Sequence, residues 1–386
     1  MRPGGEAAER SAGEVAERRG RVLLSMIADA VDPEVASRLQ HVGAVRVCAE
    51  VLGGTSSLRR AAAYRARAQA LDVDAAIDQA LSGLAAIGGR LLIPGDAEWP
   101  AGLDDLELRA PYTLWVRGGF DLADLNLSIS LAVVGARAAT QYGEHVATQI
   151  AADLAGRSWV IVSGGAYGID AAAHRGAVAV GGPTIAVLAN GVDQVYPQGN
   201  AQLLARVLER GAIVSELPPG RHPTRQGFLA RNRIIAALAG GTLVVEAALR
   251  SGSASTVARA VELGREVMAV PGPVTSAMST GTHALLRDGA TLVTGADDVA
   301  EAMGGMAIVA DATTESIPTD RDQLGTQQLA LLDAFPARST IDEVRLSVRS
   351  GLDVGTTTKV LGRLSLEGWV ERQPNGWCLG ERARLS

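Results

Sequence analysis

A glycine-rich loop between a strand-like and a helix-like segment carries the residue types and spacing that point most directly to chemistry. The loop runs from Ser163 to Asp170 and contains Gly164, Gly165 and Gly168. It follows a short β-branched run and precedes an alanine-rich segment that favours a helix. Glycines let the backbone approach a ligand, and the free N–H groups at a helix start attract anions. The loop therefore predicts a phosphate site, although a tight strand-to-helix turn would need the same glycines.

A second candidate segment is basic and lies at the start of another predicted helix. Residues 225–233 read RQGFLARNR, and no Asp or Glu occurs between Glu216 and Glu246. Arginine side chains and free N–H groups there can meet phosphates, while Phe228 offers a face for stacking a base. Because Arg231 and Arg233 point to different sides of a helix, we expect one of them to pair internally with Glu216 or Glu246. The alternative is an ordinary amphipathic helix.

Catalytic candidates are few. Asp170 and His174 are spaced i, i+4 and could form an acid–base pair, but a carboxylate at a helix start and a packed histidine explain them more simply. Glu246 ends a predicted buried strand and is either a base or a partner of a helix cap. We therefore predict no catalytic residue.

Fingerprints of bound cofactors and metals are missing. The run Gly135-Ala136-Arg137-Ala138 lacks G-x-G-x-x-G, no P-loop motif occurs, and the single lysine, Lys359, lies near the C-terminus. Cys48 and Cys378 are far apart and form no C-x-x-C pair. We therefore predict neither NAD, nor ATP in a P-loop, nor zinc, and no cofactor at all.

Alternating strand-like and helix-like runs predict an α/β domain with a mainly parallel sheet and right-handed crossovers. The strand-like runs are 131–134, 159–162, 184–188, 212–214, 242–245, 266–270 and 291–293, and the helix-like runs are 141–154, 170–180, 200–209, 228–238, 255–263 and 280–287. Ligands of such sheets bind at the carboxyl ends of the strands. Arg137, Asn190 and the glycine loop all follow strands, so we expect them to converge on one edge.

The remaining sequence predicts further parts around this domain. We expect a disordered tail (1–20), a small helical domain (21–89) in which Asp32 caps a helix before Pro33, the α/β domain (90–305), an acidic linker (306–325) and a winged helix (326–386). The winged helix is indicated by three helical segments and a hairpin with Asn375-Gly376 as its turn. Its basic and acidic residues are nearly balanced, which favours partner contact over DNA reading.

Charge and hydropathy restrict the class of protein. A formal net charge of −6 argues against a general nucleic-acid binder, so any such site must be local. No apolar run approaches the length of a membrane span, and the charged start lacks the apolar core of a signal peptide. We therefore predict a cytoplasmic protein without membrane contact.

The motifs together resemble the DNA-processing protein A family, also called Smf. The resemblance rests on Gly135-x-Arg137, the loop 163–170 with His174, Tyr196-Pro197, Ser215-Glu216, Phe228-x-x-Arg231-Asn232-Arg233, Val244-Val245-Glu246-Ala247, Ser251-Gly252-Ser253 and Val270-Pro271-Gly272. It implies an extended Rossmann-like domain that binds single-stranded DNA without catalysis, a homodimer, and loading of RecA recombinase in natural transformation or recombination. The DNA contacts implied at these positions are Arg137, Ser163, Gly164, Gly165, Arg225, Phe228, Arg231, Asn232 and Arg233, with Asn190, Ser251 and Gly252 added at the same edge.

Two functions from other classes compete with this one. A nucleoside-monophosphate phosphoribohydrolase of related fold would carry P-G-G-x-G-T-x-x-E after a strand, which is echoed only by Gly240-Gly241-Thr242 before one. A winged-helix transcription regulator with a ligand-sensing α/β domain would be expected to have a basic C-terminal domain.

Overall fold

Nine strands form one mixed sheet in the computed structural model, which describes residues 3–249, 251–304, 324–336, 340–380 and 382–383. The strands are β1 (Gly89–Leu92), β2 (Leu114–Arg117), β3 (Ser130–Val134), β4 (Val160–Ser163), β5 (Thr184–Val187), β6 (Ala212–Ser215), β7 (Gly241–Val244), β8 (Glu266–Ala269) and β9 (Thr291–Leu292). The order across the sheet is β1-β2-β6-β5-β4-β3-β7-β8-β9. Strands β3 to β9 are mutually parallel, which confirms the predicted α/β class.

Strands β1 and β2 extend the sheet beyond the predicted parallel part. β1 pairs with β2, and β2 pairs with β6, in both cases antiparallel. The sequence between them is punctuated by proline and glycine, so each strand is only four residues long and its periodicity is weak. This explains why neither strand was predicted.

The strand order reverses between β3 and β7. The chain moves from β3 outward through β4, β5 and β6, then returns to place β7 directly beside β3. A reversal of this kind opens a crevice at the carboxyl ends of the two strands, because the following loops leave in opposite directions. The topology therefore determines where a ligand can enter the sheet edge.

Helices cover both faces of the sheet, as its apolar strands require. The helices of this region are α5 (Gln141–Gly156), α6 (Ile169–Ala179), α7 (Ala201–Arg210), α8 (Arg225–Ala237), α9 (Ser253–Glu262), α10 (Thr280–Arg287) and α11 (Ala296–Ala302). Along β3, Leu131 and Val133 pack with α5 and α6, whereas Ala132 and Val134 pack with α8. The six predicted helices are confirmed, and α11 is an additional one.

Four helices precede the sheet in sequence: α1 (Pro3–Ile27), α2 (Pro33–Gly53), α3 (Ala61–Gln69) and α4 (Val73–Ala86). The predicted disordered tail is wrong from residue 3 onward, since α1 begins there. The helix is anchored by its arginines, because Arg18 pairs with Asp96 at 2.7 Å and Arg19 with Asp74 at 2.8 Å. Asp32 caps α2 as predicted, accepting a hydrogen bond from the Glu34 amide at 2.9 Å.

These helices and the sheet lie within one compact unit, Met1–Val309. Their apolar side chains share a cluster with Trp115 of β2 and Leu204 of α7. The predicted boundary between a helical domain and the α/β domain at residues 89–90 remains a prediction. No helix in the described part of the chain is both long and apolar enough to cross a membrane.

The second unit, Ala310–Ser386, contains α12 (Thr326–Asp333), α13 (Glu343–Ser350) and α14 (Val354–Leu366), followed by β10 (Val370–Gln373) and β11 (Gly376–Leu379). Three helices and a hairpin are the elements that a winged helix requires. The predicted turn is displaced by one residue, because Gly376 pairs with Gln373 and leaves Pro374-Asn375 as the turn. A Cβ at Gly376 would lie 2.6 Å from the Ile341 carbonyl, so the glycine permits close strand approach. Most of the predicted linker, 306–325, lies outside the described residues.

A buried ion pair joins α8 to the end of β6. The guanidinium of Arg233 donates to both carboxylate oxygens of Glu216, at 2.8 and 2.6 Å, and its Nε donates to the Arg109 carbonyl at 2.6 Å. The two side chains are only 3% and 7% exposed. The predicted internal pairing of one helix arginine is thus confirmed for Arg233 with Glu216.

We expect Glu216→Gln to lower the free energy of unfolding by about 3 kcal/mol, because it leaves the Arg233 charge buried without a counter-charge. Urea denaturation measures the change. The control is Glu144→Gln, which removes an exposed ion pair with Arg175 and should cost less than about 1 kcal/mol. Equal costs for the two variants would contradict the assigned role of the buried pair.

Candidate functional site

A crevice of about 900 Å³ lies at the carboxyl ends of β3 and β7, where the strand order reverses. Its walls come from the loop after β3, the first half of α8 and the residues after β7. The lining includes Arg137, Asp170, Arg225, Phe228 and Arg231, and also Asn232, Ser251 and Gly252. The fold therefore brings most of the sequence-predicted residues to one place.

The glycine loop after β4 is shaped by contact with the neighbouring loop after β3. Gly168 has φ +74°, and a Cβ there would lie 2.3 Å from the Ala136 carbonyl oxygen. The Ile169 amide donates to that same carbonyl at 3.2 Å. Gly165 also has a positive φ, of 66°. These glycines are needed for the path of the chain itself, which is the turn interpretation that the sequence left open.

Arg137 and Phe228 form the exposed mouth of the crevice. The guanidinium carbon of Arg137 lies 4.6 Å from the centroid of the Phe228 ring, within the range of a cation–π contact. The Tyr196 ring lies 6.0 Å from Phe228, and Tyr167 joins them around a small adjoining cavity of about 50 Å³. The sequence did not single out Tyr167 or Tyr196 as contacts, although Tyr167 stands within the glycine loop.

Arg231 is buried beneath this mouth and braces two strand ends. Its Nη1 donates to the carbonyls of Gly164, at 2.5 Å, and of Val187. Burial lowers the pKa of Arg231 to about 10, while the nearby Asp170 opposes the shift. The side chain is therefore still charged at neutral pH. Since its donors already hold the backbone, its main role is to position the glycine loop.

Arg233 does not line the crevice. It is 2% exposed, and its donors are used by Glu216 and by backbone carbonyls. The DNA contact that the resemblance implies at Arg233 stays a prediction, and the internal bonds of this guanidinium count against it. Arg225 is exposed at the crevice wall and has no side-chain partner among the described residues.

Two further side chains predicted to contact DNA, Ser163 and Asn190, donate hydrogen bonds to backbone carbonyls. The buried Ser163 hydroxyl donates to the Val133 carbonyl at 2.6 Å. The buried Asn190 amide donates to the carbonyls of Gly191, at 2.9 Å, and Gln194, at 2.7 Å. Asn190 also lines the small cavity beside Phe228, and the contacts implied at Ser163 and Asn190 stay predictions. Both side chains hold the loops that surround the site.

Asn232 lines the crevice but is tied to the loop after β7. Its side-chain nitrogen donates to the Ser255 hydroxyl at 2.6 Å and to the Gly252 carbonyl at 3.3 Å. This bond holds the Ser251-Gly252 loop against α8. A ligand in the crevice would meet this loop mainly through its backbone.

The catalytic candidates are occupied by structural contacts. Glu246 accepts from the amide and hydroxyl of Thr140, at 2.8 and 2.7 Å, and so supports the cap of α5. His174 is fully buried, and its Nδ1 contacts the Thr184 hydroxyl at 2.8 Å. Asp170 lines the crevice, where burial raises its pKa and Arg231 opposes that rise. Within the described residues, no three metal-binding side chains cluster.

The residues that partly match the phosphoribohydrolase motif lie at the edge of the sheet opposite the crevice. Gly241 is the first residue of β7, so Gly240-Gly241-Thr242 stands at the amino end of the strand. The crevice is at the carboxyl end. The glycines instead relieve close packing, because a Cβ at Gly240 would lie 2.0 Å from the Leu127 carbonyl.

Comparison with known proteins shows consistent similarity. Residues 90–304 match the family model of DNA recombination-mediator protein A. A Mycobacterium tuberculosis protein that carries the name DNA processing protein DprA is 42% identical over 372 residues, which cover 93% of each chain. The X-ray structure of DNA processing protein A from Streptococcus pneumoniae superposes with a TM-score of 0.62 at 34% identity, covering 73% of this chain and 95% of that one.

A second solved structure is DNA processing protein A from Helicobacter pylori, described for its single-stranded DNA binding mode. It superposes with a TM-score of 0.50 at 28% identity and covers 58% of this chain and 96% of that one.

The buried histidine makes stability depend on pH. Burial lowers the pKa of His174 from 6.5 to about 3, so the folded protein takes up this proton less readily than the unfolded chain. Its contribution to stability is complete above pH 6.5 and is lost as the pH falls toward 3. From pH 6.5 to 5 we expect His174 to account for a loss of about 2 kcal/mol.

Urea unfolding of the parent and of His174→Gln over this pH range measures the effect. The gap in unfolding free energy between the two proteins should narrow by that amount as the pH falls. A gap that stays constant would show that His174 titrates normally.

Proposed function

The chain belongs to the DNA recombination-mediator protein A family, and on that premise we propose that its crevice binds single-stranded DNA without catalysing a reaction. Membership confirms the resemblance that the motifs predicted. Binding of single strands is proposed because the Helicobacter pylori relative is described for it and because the crevice has the chemistry that such a ligand requires.

Charge in the crevice favours phosphates. Three arginines and one carboxylate line it, Arg137, Arg225 and Arg231 against Asp170, which gives a local excess of two positive charges in a chain of net charge −6. Arg137 and Arg225 are exposed and free to make bidentate bonds with phosphate oxygens. The buried Arg231 adds positive electrostatic potential at the floor of the crevice.

The contact between Arg137 and Phe228 is the observation that carries the proposal. It places a phosphate-binding group and a stacking surface side by side at the exposed mouth. A single strand offers phosphates and unstacked bases at this spacing, whereas a duplex keeps its bases stacked inside. Tyr196 and Tyr167 widen the aromatic surface, and stacking on aromatic rings tolerates any base because every base has a π-face. We therefore expect little sequence preference.

Other properties of the family enter as proposals. A recombination mediator delivers DNA to a recombinase, so we propose that RecA is a partner and that recombination or natural transformation is the process. The chain would act in the cytoplasm and as a homodimer. Sedimentation with and without RecA and single-stranded DNA tests both associations.

We expect Arg137→Ala to weaken single-stranded DNA binding by about 1.5 to 3 kcal/mol, the value of a charge-assisted hydrogen bond, with thermal unfolding nearly unchanged. Fluorescence anisotropy at two salt concentrations measures the affinity and its salt slope. Each lost phosphate contact should reduce the log–log slope by about 0.7. Affinity equal to that of the parent would show that the crevice is not the site.

Phe228→Ala is the matched control for this experiment. It removes the stacking surface and keeps the charges, so affinity should fall while the salt slope stays the same. The expected loss is about 1 to 3 kcal/mol, as for other stacked bases.

A chain truncated after residue 324 should keep most of its affinity for single-stranded DNA. The crevice is built wholly from residues of the first unit, and the proposed role of the C-terminal unit is contact with partners. Titration of both chains with the same oligonucleotide measures the difference. A loss above about tenfold, equal to about 1.4 kcal/mol, would make the C-terminal unit a DNA-binding module.

A further inference from the structure

Two separate stretches of the chain each contain four arginines and no acidic residue. One is 217–245, which supplies the crevice wall; the other is 51–71, which contains Arg59, Arg60, Arg65 and Arg67 and includes α3. Their charge matters because the protein as a whole is acidic.

The fold places these two stretches on one continuous surface. Pro223 and Thr224 form the crevice rim, and two residues earlier the guanidinium of Arg221 donates to the Met26 carbonyl near the end of α1. Three residues beyond Met26, the carboxylate of Asp29 accepts from Arg60 and, at 2.9 Å, from Arg67. The end of α1 is therefore the only element between the crevice rim and the arginines of α3 along this chain of contacts.

This surface carries a net positive charge. Its arginines are Arg59, Arg60, Arg65, Arg67, Arg221 and Arg225, and the carboxylates that face them are Asp29, Asp32, Glu34 and Asp193. Six positive charges against four negative charges leave an excess of two. Asp32 is buried and bonded to the Tyr64 hydroxyl, so it contributes least at the surface.

The arginines are accessible to a ligand. The side chains of Arg59, Arg60 and Arg67 are 85%, 56% and 45% exposed, and their ion pairs with Glu34 and Asp29 lie at the surface. Such exposed pairs contribute about 0 to 1 kcal/mol, so a guanidinium can exchange a carboxylate for a phosphate at little cost. Arg65 is half-buried and has no side-chain hydrogen bond or ion pair within the described residues.

We propose that the arginines around α3 form a second binding surface for the backbone phosphates of single-stranded DNA, which continues the strand from the crevice over the end of α1. The inference rests on the proposed function, since it takes the crevice as the first contact. A flexible single strand can follow this curved path, because its backbone is not held in a helix. The α3 surface offers charge without aromatic stacking groups, so it adds affinity and no base preference.

The test is Arg59→Ser combined with Arg65→Ser in the full chain. Arg59 and Arg65 were chosen because Arg60 and Arg67 form ion pairs with Asp29, and replacing those two would disturb the end of α1.

The probes are oligothymidylates of about 6 and about 30 nucleotides, lengths that span a single site and an extended path. The double variant should bind the long probe about tenfold more weakly and the short probe as the parent does. Its salt slope for the long probe should fall by about 1.4, at about 0.7 for each of two phosphates.

Two further variants control for position and for charge. Arg206→Ser with Arg210→Ser removes two exposed arginines from the second half of α7, whose C-terminal end precedes β6 and therefore lies at the edge of the sheet opposite the crevice. This variant should bind both probes as the parent does. Arg59→Lys with Arg65→Lys keeps the charges and should restore the parent salt slope. A long-probe affinity and salt slope unchanged in the serine double variant would overturn the inference.

The outcome separates this inference from the crevice proposal. If Arg137→Ala weakens both probes and the α3 variant weakens neither, the crevice stands and the second surface is rejected. If the α3 variant weakens the long probe and Arg137→Ala binds as the parent does, the crevice assignment is rejected, and with it the continuous path; the α3 arginines would then bind DNA on their own. An equal loss on both probes for the α3 variant would indicate a structural effect and would also reject the second surface.

Discussion

The buried guanidinium of Arg231 is the interaction on which the crevice depends. A charge in such a position must be satisfied by polar partners, and here they are the carbonyl of Gly164, the carbonyl of Val187 and the field of Asp170. These contacts join α8, the glycine loop after β4 and the end of β5. A Cβ at Gly164 would lie 2.3 Å from the guanidinium nitrogens, so glycine is required there to admit Arg231. The loop that resembled a plain anion-binding turn is thus shaped first by an internal arginine.

Arginines in this protein divide between two roles that differ by environment. Arg231 and Arg233 are buried and hold backbone or Glu216, whereas Arg137 and Arg225 are exposed at the crevice. A buried arginine uses most of its N–H groups for internal hydrogen bonds, so it fixes the positions of its partners and adds positive electrostatic potential. An exposed arginine retains donors for a phosphate. Buried arginines therefore position the backbone of the site, whereas exposed arginines can contact the ligand.

The polar side chains around the crevice also form internal hydrogen bonds. Glu246 is held by Thr140 at the start of α5, Asn232 by Ser255 on α9, and Ser163 by the Val133 carbonyl. Buried polar groups of this kind are costly unless paired, and their pairing leaves no acid or base among them free for proton transfer. A site that is rigid, positively charged and lined by aromatic rings at its mouth is suited to holding a strand.

The sequence by itself determined the parallel α/β sheet, because seven short apolar runs alternate with helical segments. It also determined that Arg137, the glycine loop and α8 meet, since the carboxyl ends of parallel strands share one edge. Only the tertiary structure decided which arginines are exposed, because Arg231 and Arg233 are both buried by long-range contacts whereas Arg225, at the start of the same helix, is exposed. It also decided that Asn190 and Ser163 face inward, and that Arg60 and Arg67 contact Asp29 near the end of α1. These features depend on contacts between residues distant in sequence, which local pattern and periodicity do not encode.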